Sequence, residues 1–248
     1  METAATLPAN TPFDLRGRRI LITGAAGGIG AATARLCRQH GATTVLVDVV
    51  SAEVIAERAD DPAADCYSLD VSDRAAVTRL ADKIGPVYGL IDTAAICPQD
   101  DWMDDDWDET LERVLAINVR GPLNLTRAFY PGMVSQGEGR IVLCGSVAGW
   151  MGGVLSGPHY AFTKGGIHAF TRWLARRGAP HNVLVNAIAP GPVATGMTAG
   201  KGYEAQAYPL GRMAKPEEIA SAALFLCCPG ASFMTGAVMD VNGGVFFR

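Results

Sequence analysis

Tyr160 and Lys164, in the stretch YAFTK, set a phenol and an ammonium four residues apart. That spacing places both side chains on one face of a predicted helix. A phenol is protonated near neutrality, its reference pKa being about 10, and a nearby ammonium favours the phenolate. Such a group can take a proton from an alcohol. Ser146 follows the preceding apolar run, where its hydroxyl could bond to a substrate oxygen. Tyrosine and lysine at this spacing occur by chance in many chains, so they gain meaning only from a second feature far upstream.

That feature is the run Thr23-Gly24-Ala25-Ala26-Gly27-Gly28-Ile29-Gly30. It follows a predicted strand and opens a predicted helix. Glycines there let the backbone turn tightly and approach a pyrophosphate, and the helix start supplies oriented N–H donors. A plain strand-to-helix turn would look similar; position after the first strand of a βαβ unit favours the dinucleotide reading. The next strand ends at Asp48, eighteen residues beyond Gly30. A carboxylate there accepts hydrogen bonds from an adenosine ribose diol and repels a 2′-phosphate, unless it is merely a surface cap for the next helix. No Arg or Lys lies between Gly24 and Gly30 or directly after Asp48. The expected cofactor is therefore NAD rather than NADP.

The elements that must carry these groups alternate along the chain. Strands are predicted at 18–23, 43–47, 65–69, 90–94, 140–144, 183–188 and 237–240. Helices are predicted at 29–40, from 51, at 72–84 with Ser72 as N-cap, from about 106 toward 130, at 160–177 and at 216–226. The alternation implies an α/β fold: a mainly parallel, doubly wound sheet with helices on both faces, in a single domain over 15–248 after a flexible tail at 1–14. Residues 195–209 (TGMTAGKGYEAQAYP) break the pattern after a strand end, where ligands bind in such sheets, and read as a mobile lid.

Composition narrows the partners. Of 248 residues 49% are hydrophobic and 19% charged, with a net charge of −4, so most of the chain must fold and no basic face awaits nucleic acid or an anionic membrane. No apolar run reaches the roughly 18 residues needed to span a bilayer. The start of the chain lacks an apolar signal core. The six cysteines show no metal-ligand spacing and read as buried apolar residues in a reducing cytoplasm, with no metal expected. The acidic run at 100–109, DDWMDDDWDE, reads as a solvated helix start rather than a metal site.

Taken together the sequence resembles the short-chain dehydrogenase/reductase family from Leu15 to Phe246. The resemblance rests on TGAAGGIG, Leu69-Asp70-Val71, Asn118 within INV, Gly145-Ser146, YAFTK, VNAIAPGPVAT (residues 185–195) and VNGG (residues 241–244). It implies a seven-stranded sheet, usually a homotetramer (otherwise a homodimer), and hydride transfer between a nicotinamide and a secondary alcohol or ketone. Tyr160 would be the acid/base, Lys164 would lower its pKa and hold the nicotinamide ribose, and Ser146 would orient the substrate oxygen. Asn118 would hold the water and helix kink that connect Lys164 to solvent. Asp70 and Val71 would flank the adenine. Pro190, Gly191, Val193 and Thr195 would contact the nicotinamide, and Gly24, Gly28, Ile29 and Gly30 the pyrophosphate.

Two departures stand out. Asp92-Thr93-Ala94-Ala95 replaces the family's NNAG, leaving the Ala94 backbone to line the cofactor. Ser146 and Tyr160 are fourteen apart, one more than is usual, which calls for a one-residue bulge between Gly149 and Gly157. By family position Cys97, Trp150, Met151 and Val154 would wall a small to medium, mainly apolar substrate pocket, although core packing suits Trp150 and Met151 equally well. His159 could reach the substrate, although its neighbour Tyr160 points elsewhere on a helix. A 3-oxoacyl reductase linked to an acyl carrier protein shares the scaffold, but would prefer NADPH and a basic docking patch. A dehalogenase-like relative would carry Arg at position 164, and a non-enzymatic member would be expected to lose Tyr160 or Lys164.

Overall fold

The computed structural model describes residues 11–248. Seven strands form one all-parallel sheet: β1 (Arg19–Thr23), β2 (Thr43–Asp48), β3 (Asp65–Ser68), β4 (Gly89–Asp92), β5 (Gly139–Cys144), β6 (Val183–Pro190) and β7 (Val238–Val241). Their order is β3-β2-β1-β4-β5-β6-β7. The central strands are mainly apolar because helices cover both faces: β6 is buried at all eight positions, Asn186 included, and Ile20, Leu21 and Ile22 of β1 are fully buried. One core gathers Ile20, Ile22 and Leu46 with α1 (Gly28–Gln39) and α8 (Pro216–Cys227). The other packs Leu21, Leu90 and Ile141 against α3 (Arg74–Ile84), α5 (Gly121–Gln136) and α7 (Pro158–Gly178).

Strand order reverses between β1 and β4, and at that seam the strand ends open a crevice. Asp92 at the end of β4 is buried and accepts a hydrogen bond from the Thr23 hydroxyl at 2.5 Å, while the Thr93 hydroxyl donates to the Thr23 carbonyl at 2.7 Å. Burial pushes the Asp92 carboxyl up from its ordinary value, and the Thr23 bond opposes that. The departure from NNAG is thus a clamp across the seam.

Local expectations met two corrections. Asp73, not Ser72, caps α3: its carboxylate accepts the Ala76 N–H at 3.0 Å. The long helix expected from about 106 is interrupted. Helix α4 (Trp107–Leu115) passes into a π-helical turn, Ala116–Arg120, before α5, and Asn118 sits inside that turn. The first ten residues of the expected tail lie outside the described residues. Of the remainder, Pro12 accepts the Gly230 N–H at 2.7 Å and Phe13 lies against the Phe225 ring.

Candidate active site

Three elements deliver the chemistry. Strand β5 ends at Cys144, so Ser146 emerges at the carboxyl edge of the sheet. Helix α7 opens at Pro158 and carries Tyr160 and Lys164 across from it. Between them run helix α6 (Ala148–Met151) and a left-handed pair, Gly152 and Gly153, with φ of 89° and 80°. Ser146 Oγ accepts the Ala148 N–H at 3.1 Å and is also a partner of the Tyr160 hydroxyl.

Ser146, Tyr160 and Lys164 line one cleft of about 580 Å³, together with Cys97, Met151, Val154, Pro190, Gly191, Val193 and Thr195. An adjoining groove of about 400 Å³ is lined by Gly24, Gly28, Gly30, Asp48, Asp70, Val71 and Ala94. The two share Ile29, Thr93, Ala95, Thr195 and Met197 as lining residues, so they form a single elongated site. Of the expected lining residues only Trp150 faces elsewhere. Its indole packs on His168, with ring centroids 4.2 Å apart, and donates to Asp240 Oδ1 at 3.1 Å.

The groove fits a dinucleotide. A Cβ on Gly30 would collide with the Gly24 carbonyl oxygen, and Gly24 itself has a φ of 65°, so only glycine closes this turn against the start of α1. Gly27 caps α1 without any side-chain bond and no acid occupies its first turn, leaving a positive cradle of N–H groups. Asp48 sits beside the cradle, its Oδ2 accepting the Ala26 N–H at 2.9 Å and its Oδ1 the Val49 N–H at 2.7 Å. The expectation that no cation stands near a 2′-phosphate is corrected here. Arg58, on α2 (Ala52–Ala59), lines the groove and donates to the Ala26 carbonyl at 3.2 Å. Ten residues beyond Asp48 and outside any motif, it left no trace in the sequence.

Around the phenol the electrostatics differ from the expectation. Burial pushes the Tyr160 phenol well above its ordinary value, reinforced by the nearby Cys144 and Cys97 thiols, while the bond with Ser146 pulls it down. The Lys164 ammonium stands 5.5 Å from the Tyr160 ring centroid and donates to the Cys144 carbonyl at 2.7 Å, so in this arrangement the strand end takes its charge rather than the phenol. Asn118 holds the floor: its Oδ1 accepts the Ile96 N–H at 2.9 Å, and its Nδ2 donates to the Ile96 carbonyl at 2.9 Å and to Thr163 Oγ1 at 3.3 Å. The π-helical turn aims this side chain at the loop after β4.

His159 turns away from the cleft. It is buried, meets Asp100 Oδ2 through Nε2 at 3.2 Å, stacks on Trp107, and accepts the Tyr160 backbone N–H on Nδ1 at 2.8 Å. It anchors the start of α7. The segment expected to be a lid lines the cleft with Tyr203, Glu204 and Tyr208, which the sequence did not mark as site residues. Lys201 Nζ donates to the Cys97 carbonyl at 2.7 Å, fastening this segment to the loop after β4. No cluster of three His, Cys, Asp or Glu side chains among the described residues is arranged for a metal ion.

Comparison with known proteins gives this geometry a lineage. Residues 24–246 match the family described as enoyl-(acyl carrier protein) reductase. The chain is 35% identical to a short-chain type dehydrogenase/reductase of Sinorhizobium fredii, over 94% of this chain and 99% of that one. It is 37% identical to galactitol 2-dehydrogenase (L-tagatose-forming) of Cereibacter sphaeroides, over 94% and 97%. A crystal structure of a 3-oxoacyl-(acyl-carrier protein) reductase with bound NAD from Brucella melitensis superposes with a TM-score of 0.86 at 32% identity, covering 100% of this chain and 99% of that one. The chain belongs to the short-chain dehydrogenase/reductase family, oxidoreductases that work with a nicotinamide cofactor.

Proposed function

We propose that this enzyme moves a hydride between NAD and a secondary alcohol or its ketone, acting on small to medium, mainly apolar substrates. The observation that carries the reading is the convergence of Ser146, Tyr160 and Lys164 on the floor of an apolar cleft that runs into the glycine-turn groove. When bound, the nicotinamide supplies the hydride acceptor or donor. Gly24, Gly28, Ile29 and Gly30 would hold its pyrophosphate, Asp48 the adenosine ribose, Asp70 and Val71 the adenine, and Pro190, Gly191, Val193 and Thr195 the nicotinamide end. The Ser146 hydroxyl orients the substrate oxygen. In oxidation the Tyr160 phenolate removes the hydroxyl proton; in reduction the phenol returns it.

For the phenol to ionise near neutrality, the Lys164 ammonium must give up part of its hold on the Cys144 carbonyl and face Tyr160 and the ribose. Asn118, in the π-helical turn, would hold the water that connects Lys164 to solvent. Apolar walls (Ala95, Cys97, Met151, Val154, Leu155) favour an uncharged substrate, and Glu204 at the rim disfavours an anionic one. The acyl-carrier reading draws support from the Brucella relative and from Arg58, which could meet a 2′-phosphate. An NADPH-dependent reduction of a 3-oxoacyl thioester, faster than any secondary alcohol oxidation with NAD, would select it.

Two further readings concern the whole protein. Leu123, Phe162 and Trp173 on α5 and α7 form an exposed apolar face, the last two being 72% and 49% exposed, and this supports a homodimer built on that face or a homotetramer containing it. No disulfide joins the six cysteines, and no described helix is long and apolar enough to cross a membrane. Those features support work in the cytoplasm. The decisive test of the function is Tyr160→Phe, which deletes one hydroxyl without changing shape. Turnover should fall by about 10²–10⁴-fold while NAD affinity holds; turnover within about threefold of the parent would remove Tyr160 from the chemistry.

A further inference from the structure

Beneath Ser146, on the side away from the cleft, lies a side chain that the proposed chemistry does not use. His168, one helical turn beyond Lys164 on α7, is only 2% exposed. Its Nε2 accepts the Ser146 backbone N–H at 3.4 Å, whereas its buried Nδ1 has no hydrogen-bond partner. The ring fits because the residue above it is glycine: a Cβ on Gly145 would collide with the imidazole. Behind it the Trp150 ring packs at 4.2 Å, and Asp240 holds that indole at 3.1 Å. Arg248 pairs with Asp240 at 2.7 Å and lies 4.4 Å from the Trp150 ring.

A half-satisfied imidazole is a poor choice for packing alone. A leucine of similar volume would fill the space without stranding a polar atom. The ring is also kept uncharged. Burial and the cations Arg172, Lys164 and Arg248 oppose its protonation, and only Asp240 favours it, so its pKa is held down at about 4. A neutral ring whose Nε2 accepts must carry its proton on Nδ1. This fixes the tautomer, and with it the one useful contact the ring makes.

We propose that His168 is a positioning residue for Ser146: its Nε2 holds the Ser146 amide, and Trp150, Asp240 and Arg248 hold the ring from behind. The proposal rests on the reading of Ser146 as the group that orients the substrate oxygen. It adds a support running from the C-terminal strand β7, through a tryptophan and a histidine, to the reacting end of β5.

The test is a double-mutant cycle with a spectroscopic control. His168→Leu should lower kcat on the order of tenfold with KM for NAD unchanged, because a small displacement of the serine costs alignment rather than binding. His168→Gln, which can present an acceptor, should recover part of that loss. In a Ser146→Ala background His168→Leu should add nothing further; an equal additional loss would show that the histidine serves packing alone and overturn the proposal. Parental turnover in Ser146→Ala would instead overturn the role given to the serine. Long-range ¹H–¹⁵N spectra of the unaltered protein decide the contact by themselves, even if His168→Leu fails to fold. An Nδ1–H tautomer at His168 is expected, and an Nε2–H tautomer would rule out the bond to the Ser146 amide.

Discussion

Asp48 and Arg58 line the same groove, and in the proposed binding mode they oppose one another where the adenosine would lie. A 2′-phosphate there would meet the Asp48 carboxylate, a repulsion of several kcal/mol at an effective dielectric near 20 before solvent and rearrangement reduce it. Arg58, tethered to the Ala26 carbonyl, offsets part of the remainder. The expected preference for NAD is therefore about tenfold in kcat/KM, near 1.4 kcal/mol. Asp48→Ala should narrow the ratio and Arg58→Ala should widen it, both read from parallel assays with NAD and NADP; equal efficiency with both cofactors in the parent would reduce Asp48 to a surface residue. A second outcome follows from His168. Its pKa drops from 6.5 in the unfolded chain to about 4 in the fold, so between those values the unfolded chain binds the extra proton. Stability is full above about pH 6.5 and falls as pH drops toward 4, by roughly 2–3 kcal/mol from this group. Chemical denaturation across that window should show the loss, and His168→Leu should remove it.

At the level of elements, residues 195–209 are the segment proposed to close over substrate. They are fastened through Lys201 to the Cys97 carbonyl, and the Gln99 side chain donates back to the Lys201 carbonyl at 3.3 Å. Lys201→Met should raise KM for the alcohol about three- to tenfold, because a loosened lid orders at the expense of binding. It should also speed amide exchange over 195–209, while NAD with substrate slows exchange there in the parent. Equal, strong protection of the parent with and without ligands would refute a moving lid. Strands and helices were readable from the sequence because strands buried on both faces need unbroken apolar runs and helices need caps and periodicity. What escaped were features set by tertiary approach. The π-helical turn has no local signal of its own and came only as the helix kink at Asn118 that the family resemblance implied, since Asn118 is drawn to Ile96 by the fold. Trp150 suited a pocket wall by family position and the core equally, and α6 turns it toward Asp240. Arg58 and Lys201 reach the site across space from segments without a motif.

For the molecule as a whole, the exposed face of α5 and α7 is where concentration would act: Trp173 and Leu123 lie on it, beside Phe170 and Leu174. If the proposed oligomer is built on this face, Trp173→Glu should shift it toward smaller species in light scattering at micromolar concentration, since a charge in an apolar interface loses its hydration; an unchanged mass would remove this face from any subunit contact. The seam between β1 and β4 has a consequence of another kind, in time rather than in space. Thr23 and Asp92 are 69 residues apart, yet their strands are neighbours and their side chains join. A ribosome adding ~5–20 residues per second needs roughly 3–14 s to bring out the second after the first. Through that interval β1, with three fully buried apolar residues, has β2 on one edge and nothing on the other. The nascent chain must carry an open apolar strand edge for seconds, and it is there that a chaperone would find its hold.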